Sequence, residues 1–581
     1  MPIKRRTILY TALVTTTGIA MAIVLVGLLQ YSREGLVNYV VRISAKPYLL
    51  NILQQQIITP QKFKLLRAAC YALLAIDVVL VAMLYRYSRV VMRGLVFLGH
   101  CVSSGAGSIA AVFRRNGKKN NLVFAALFAV ISARALYYIF HFELQYDEMW
   151  SYNYFTARPF YFAMFSYNNY PLYELTTQLS KWLPFSMKFN LRLPILLAGF
   201  SACIIMYACV KHYTGHAVTA LVAMALFACM PVTTFYMLYA RGVMFGLLFS
   251  VVSIFCILWM LKSNKPKKYM VLFVVANVAG MYSMPTHLYG WVIQIVCAIA
   301  YGIQYKRSLV KPFLVCNVLV LAISFVCWLP IILGSGISFL LNTATNSALV
   351  GSAIPDIVFY NKGISTFFTG GPYGLLVMVG ATVLLLAAFK KINRQNFFII
   401  AFMVLLFGLP TAIYLLQHNA IPERSIPFIG LLIPMCFCWL VYAFKNNVAV
   451  LAQYVFIGVF FAAGCLVSNS HSFMRWSEEQ DKKAITITTL LMQHQVKTCY
   501  DNATRSQFFY YYPALEYYYA QHKLAITVNM ATPNSQRYKP LLPTDNYDCI
   551  IVAVNAPALG NAKSYRPIYK DGEEGFVIMA K

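Results

Sequence analysis

Apolar runs of about 18–22 residues, the length that carries a helix across a bilayer core, recur from residue 8 to residue 469 and are separated by short polar stretches. The pattern predicts spans near 8–30, 66–85, 121–140, 192–210, 217–238, 242–261, 269–286, 288–304, 313–333, 373–389, 397–416, 425–444 and 449–469. That makes about 13 transmembrane helices, and the fold class is a polytopic α-helical membrane protein. After residue 470 the pattern changes. Short apolar segments such as AITITTLL, LAITV and YDCIIVAV alternate with polar turns, which suits strands mixed with helical stretches near 478–495 and 513–522. A small C-terminal α/β domain is expected there. The expected domains are 1–119, two spans plus a basic segment; 120–470, the membrane domain; and 471–581, a soluble domain.

Charge sets the expected topology. Segments 211–216, 262–268, 305–312, 390–396 and 445–448 each contain Lys or Arg and no Asp or Glu. Cytoplasmic loops collect cations in this way, so alternation places 141–191, 334–372, 417–424 and everything after 470 on the other side. The stretch 86–119, with Arg86, Arg89, Arg93, Arg114, Arg115, Lys118 and Lys119 and no acid, is read as cytoplasmic. The basic stretch between the first two spans is read as an amphipathic helix in the interface. The expected location is a bacterial plasma membrane with the C-terminal domain outside; an ER membrane would satisfy the same pattern.

Composition removes whole classes of function. Of 581 residues, 60% are hydrophobic and 11% charged, with a mean hydropathy of +0.63. A soluble domain carries about 25% charged residues. The net charge of +30 would suggest nucleic acid on a soluble protein, but loop cations account for it here and no nucleic-acid partner is expected. The 14 cysteines are scattered without a CxxC pair, as small buried hydrophobes are. Cys499 and Cys549 share the polar tail and form a disulfide pair only if that tail meets an oxidising compartment.

Acidic residues carry the most information. Ten of the 18 lie after residue 470, and four of the rest, Glu143, Asp147, Glu148 and Glu174, fall in the loop 141–191. Neighbouring residues on a helix point about 100° apart, so one of Asp147 and Glu148 can face a cavity while the other makes a structural bond. The loop is also crowded with Tyr, Phe and Trp, which suit a membrane interface. Taken alone, the acids are better explained without any chemistry, as a cap on the helix end or a pairing with Arg158.

Several motifs in order weigh against that plainer reading. QYDEMWSYNYF, NNYPLYELTTQL, Arg192-Leu193-Pro194, Pro231…Tyr239-Ala240-Arg241 and Pro422-Glu423-Arg424-Ser425-Ile426-Pro427 follow one another along the chain. The series resembles the polytopic GT-C glycosyltransferases, in particular the protein mannosyltransferases and the aminoarabinose transferase of lipid A, over roughly residues 120–581. It departs from them at Asn168-Asn169, where the family has His-Pro, and at Ser425, where the family often has Tyr. The resemblance implies transfer of a sugar from a polyprenyl-phosphate carrier to an acceptor on the non-cytoplasmic side. It implies Asp147 as base with Glu148 in support, and Arg241 and Arg424 as cations for the donor phosphate. His287 and Arg192 are weaker candidates, and Tyr170 and Tyr239 would line the substrate site. The implied partners are the lipid-linked donor, membrane lipid, and a glycan, lipid or protein acceptor. No ligand spacing demands a metal, although some relatives bind a divalent ion near the acidic loop, so metal is left open. The competing class is a transporter or lipid flippase. Such proteins show repeat symmetry and ionisable residues near the midplane, and here Asp77 is the one acid inside a predicted span.

Overall fold

The computed structural model describes residues 3–44, 53–160, 163–164, 170–263, 266–335, 354–369, 397–417, 425–431, 472–502, 511–530, 546–553, 565–571 and 576–581, with isolated positions between. They fall into two compact units, residues 1–100 with 483–581, and residues 101–482.

In the first unit α1 (Ile3–Gln30) leads into α2 (Arg33–Ser44) through a 114° bend. Arg33 fixes the bend by donating to the carbonyls of Ile58 and Gln54 at 2.8 and 2.7 Å. Helix α3 (Pro60–Arg86) starts at Thr59, whose hydroxyl accepts from the Lys62 amide, with proline at its first position; both are favoured helix starts. Helix α4 (Ser88–Arg114) follows after a single residue. The segment 86–119, expected as a basic cytoplasmic stretch, is therefore mostly helix, and α4 is long and apolar enough to count as a candidate span. Its arginines sit near its two ends and leave an apolar middle, Val96 to Phe113.

In the second unit come α5 (Lys118–His141), α6 (Tyr146–Ser151), α7 (Pro171–Ser180) and α8 (Met187–Thr214). Then follow α9 (Ala217–Cys229), α10 (Pro231–Leu238), α11 (Val243–Lys262), α12 (Lys267–Ser283), α13 (His287–Tyr305), α14 (Val310–Ser335), α15 (Ile354–Thr369) and α16 (Phe397–Gln417). Eight helices among the described residues are long and apolar enough to cross a membrane, or up to ten with two bent pairs. The chain is an integral membrane protein. The expected spans 373–389, 425–444 and 449–469 lie largely outside the described residues.

One expected span is not straight. The run 217–238 is split at Pro231 into α9 and α10, which meet at 62°. Proline has no amide to continue the ladder, and the Thr234 hydroxyl takes up the freed Ala228 carbonyl at 3.1 Å. The bend aims the residues after α10 at α6. Helix α8 ends at Gly215, whose φ of 71° favours glycine. Lys262 then donates to the last carbonyls of α8, at His212 and Tyr213, and Lys306 does the same at Leu261 and Ser263. Cations at helix C-termini are favourable in just this way.

The tail folds as a five-stranded sheet in the order β2-β1-β3-β5-β4, from β1 (Thr498–Asp501), β2 (Thr527–Met530), β3 (Cys549–Ala553), β4 (Arg566–Asp571) and β5 (Phe576–Ala580). The first three pair in parallel, and β5 and β4 run antiparallel. Helices α17 (Ser472–Gln493) and α18 (Tyr512–Gln521) accompany them. AITITTLL lies in α17 and not in a strand. Ala484, Ile487, Thr488 and Leu491 are its buried positions, a helical spacing that outweighs the β-branched content. Cys499 and Cys549 are register partners on β1 and β3, and both thiols are free and buried.

Candidate active site

The short helix α6 places two adjacent carboxylates in opposite circumstances. Asp147 keeps 26% of its side chain exposed, whereas Glu148 keeps none. Glu148 accepts from Arg192 Nε at 2.9 Å and Nη2 at 2.7 Å, from the Gln145 amide at 2.8 Å and from the Ala240 amide at 2.7 Å. Arg192, 2% exposed, gives its other hydrogens to the carbonyls of Ile139, Phe142 and Glu143. A buried ion pair survives only when its remaining donors and acceptors are satisfied in this way. Glu148 and Arg192 thus clasp the end of α5, the start of α6, α8 and the link after α10. Neither has capacity left for a substrate.

Asp147 makes different bonds. Its Oδ1 pairs with Arg241 Nη1 at 2.8 Å, and its Oδ2 accepts from the Tyr239 hydroxyl at 2.5 Å. Tyr239 and Arg241 come from the link between α10 and α11, one residue to either side of Ala240, whose amide Glu148 holds. Burial first, and then the Asp147 charge, push the Tyr239 phenol well above its ordinary value, so it stays a hydrogen-bond donor. Burial alone would lower the Arg241 guanidinium, but Asp147 and the nearby phenols outweigh it and hold the pKa above the ordinary arginine value. The Tyr170 ring stacks 4.8 Å from the guanidinium carbon. Arg241 Nε is buried with no hydrogen-bond partner.

The stacking of Tyr170 sets a requirement on the chain. A Cβ on Gly242 would collide with Tyr170 Cβ and its ring. Gly242→Ala is expected to displace Tyr170 from Arg241 and to cost about 1–3 kcal/mol of stability. Thermal unfolding of the purified protein measures this, and an unchanged transition would remove the close approach as a constraint.

The floor of the loop is built by α7. Gln178 Nε2 donates to the carbonyls of Phe155, Thr156 and Arg158, and Lys181 Nζ to that of Thr156. These carbonyls lie at and just beyond the end of the wide-turn segment Tyr152–Thr156. Tyr173 donates to the Leu191 carbonyl at 3.1 Å and ties α7 to α8. Glu174, counted in sequence among the loop acids but given no role there, is fully buried beside these groups. Arg158 donates to the Asn153 carbonyl.

Of the eight candidates read from sequence, Asp147, Glu148, Arg241, Tyr239, Tyr170 and Arg192 converge on this one cluster. His287 is 1% exposed, and its ring is bound by Ser250 on α11 at 3.3 Å and Asn277 on α12 at 3.1 Å. Arg424 lies outside the described residues. No group of three or more His, Cys, Asp or Glu is arranged for a metal among the described residues. The cluster also fits a divalent ion poorly, because Glu148 is saturated by four donors and Asp147 faces a guanidinium and a phenol.

No family model and no curated protein sequence matches the chain. Solved structures do. ArnT from Cupriavidus metallidurans in the apo state superposes with a TM-score of 0.54 at 12% identity, covering 79% of this chain and 97% of that one. The same protein bound to undecaprenyl phosphate superposes with a TM-score of 0.51 at 13% identity, covering 80% and 98%. The chain therefore has the GT-C fold, with its helical membrane domain and small C-terminal sheet domain.

Proposed function

We propose that this protein is a membrane-embedded glycosyltransferase that moves a sugar from a polyprenyl-phosphate donor to a hydroxyl acceptor on the extracytoplasmic face of a bacterial plasma membrane. The observation that carries the reading is the half-open Asp147 carboxylate held by Arg241 and Tyr239, on a fold shared with a protein solved with undecaprenyl phosphate.

The chemistry needs a base for the acceptor and fixed positive charge for the departing phosphate. As found, Asp147 is engaged by the Arg241 guanidinium 2.8 Å away. An incoming donor phosphate is the better partner for a guanidinium. As Arg241 turns to it, the Asp147 carboxylate is released from its ion pair and becomes free to meet the acceptor hydroxyl. The acceptor oxygen then bonds to the anomeric carbon, and the bond from that carbon to the phosphate oxygen breaks. Its electron pair leaves with the polyprenyl phosphate, and Asp147 takes the acceptor proton. Tyr239 holds the carboxylate in place throughout, and Tyr170 steadies Arg241 from its face. Glu148 acts in support by holding α6, through Arg192, at the right height. Arg424 is the second phosphate cation in this reading.

Membranes containing the protein, supplied with a radiolabelled polyprenyl-phosphate sugar, test it. Label moving onto an acceptor is the expected result. Label crossing the bilayer still attached to its carrier would instead identify a flippase.

A further inference from the structure

Glu174 is a burial problem that the scheme above does not use. It has no exposed surface, and its Oε2 accepts a hydrogen bond from the Thr156 hydroxyl at 3.2 Å. Its Oε1 is buried without a partner, as is Arg241 Nε. An ionised carboxylate in such a place would be costly unless a cation closed on it. Arg241 is within electrostatic reach, yet its ion pair goes to Asp147. From these contacts we propose that Glu174 is a positioning residue that works as an un-ionised acid behind Arg241, leaving the guanidinium charge uncompensated on that side and so reserving it for the donor phosphate. The inference deepens the donor reading given above and rests on it.

The surroundings agree. Burial pushes the Glu174 carboxyl up to about 8, against the opposing pull of Ser151, Arg241 and Thr156. The packed elements offer few other charges. Helix α6 brings Ser151, with Asp147 and Glu148 a turn earlier, and α7 itself brings Tyr173 and Thr177. Helix α8 brings Arg192, already bound to Glu148, and Lys188, already bound to Glu143; Lys211 and His212 belong to its far end. Helix α12, also packed on α7, carries Lys267, Lys268, Tyr269 and Tyr282 and no acid. Among the charged groups named here, Arg241 is the one that acts on the Glu174 carboxyl.

The sign follows directly. Below about 8 the acid is neutral, and Arg241 has one carboxylate, Asp147, to leave when phosphate arrives. Above it Glu174 ionises, becomes a second carboxylate beside the guanidinium, and competes with the phosphate. Affinity for a polyprenyl phosphate should therefore fall as pH rises through this range, by about tenfold between pH 7 and 9, since a group that must be protonated for binding costs about one decade per pH unit above its pKa. A phosphate monoester is already fully ionised there, with its second pKa near ~6, and adds nothing to the slope.

The test uses the full-length protein and undecaprenyl phosphate as probe, titrated across this pH range in the wild type and in Glu174→Gln. The amide is an isosteric neutral group, so E174Q should bind like the wild type at pH 7 and keep that affinity at pH 9. Infrared spectra of the same samples should show a protonated carboxyl band at neutral pH that E174Q lacks. Equal pH slopes in both proteins, loss of binding by folded E174Q at pH 7, or absence of that band would overturn the inference while leaving the donor reading intact. Absence of binding by either protein at every pH would overturn both.

Discussion

Asp147→Asn is expected to lower sugar transfer by about 10²–10⁴-fold, the usual contribution of a positioned base, while the protein still inserts and folds. The amide oxygen can accept from Arg241, and the amide nitrogen can donate to the Tyr239 hydroxyl oxygen where the carboxylate accepts from it, so the shape is kept and the basicity is lost. The kinetic constants should divide in a telling way. Arg241 no longer has an anion to leave when the donor phosphate arrives, so KM for the donor should stay level or fall while kcat collapses. A variant that transfers at nearly the wild-type rate would remove Asp147 as the base. One with an unchanged kcat and a raised KM would make it a binding residue instead. The assay is transfer from a labelled polyprenyl-phosphate sugar, with folding checked by gel filtration.

The second large effect belongs to the neighbouring acid and is one of stability. Glu148→Ala strands Arg192, 2% exposed, without its anion, and frees the amides of Gln145 and Ala240 that the carboxylate now satisfies. Breaking a buried pair from one side costs about 3–5 kcal/mol, a large share of a typical folding free energy of about 5–15 kcal/mol. Glu148→Ala combined with Arg192→Ala should recover part of the loss, because no lone charge remains. Recovery should be incomplete, since the carbonyls of Ile139, Phe142 and Glu143 lose their donor. Denaturant unfolding of the three variants in one detergent measures this. A single mutant as stable as the wild type would mean that the clasp holds nothing together.

Much of this arrangement was legible in the sequence because it depends on pattern. The apolar runs and the ordered motifs pointed to the GT-C fold, and adjacency of Asp147 and Glu148 on one helical turn implied that they would face different surroundings. What was not legible depended on partners far away in the chain. Arg192 read as a cation for phosphate because nothing local shows that Glu148, 44 residues earlier, consumes it. His287 read as a site residue from its place at a span end, while Ser250 and Asn277, on two other helices, bind its ring. The break at Pro231 had a local signal, since proline inside a hydrophobic run bends or ends a helix, but hydropathy alone reads straight through it. Helix α4 was hidden by its arginines, which weigh on an average over the segment although they gather near its ends. Glu174 gave no sign at all, because burial of a loop acid is decided by α6, α7 and the link after α10 together.

Helix α7 has a second face. Its inner side carries Tyr173 and Glu174 with no exposed surface, while Leu179, Trp182 and Phe185 at its end are 77%, 80% and 59% exposed. Large apolar and aromatic side chains bared beside a membrane span settle among lipid headgroups. Leu179 in this helix, with Trp182 and Phe185 just beyond its end, is therefore expected to rest on the bilayer interface while Tyr173 and Glu174 face the Asp147 cluster. Lipid at this edge is expected to help hold the floor beneath the cluster, and a micelle of different curvature is expected to tilt that floor while leaving the cluster itself intact.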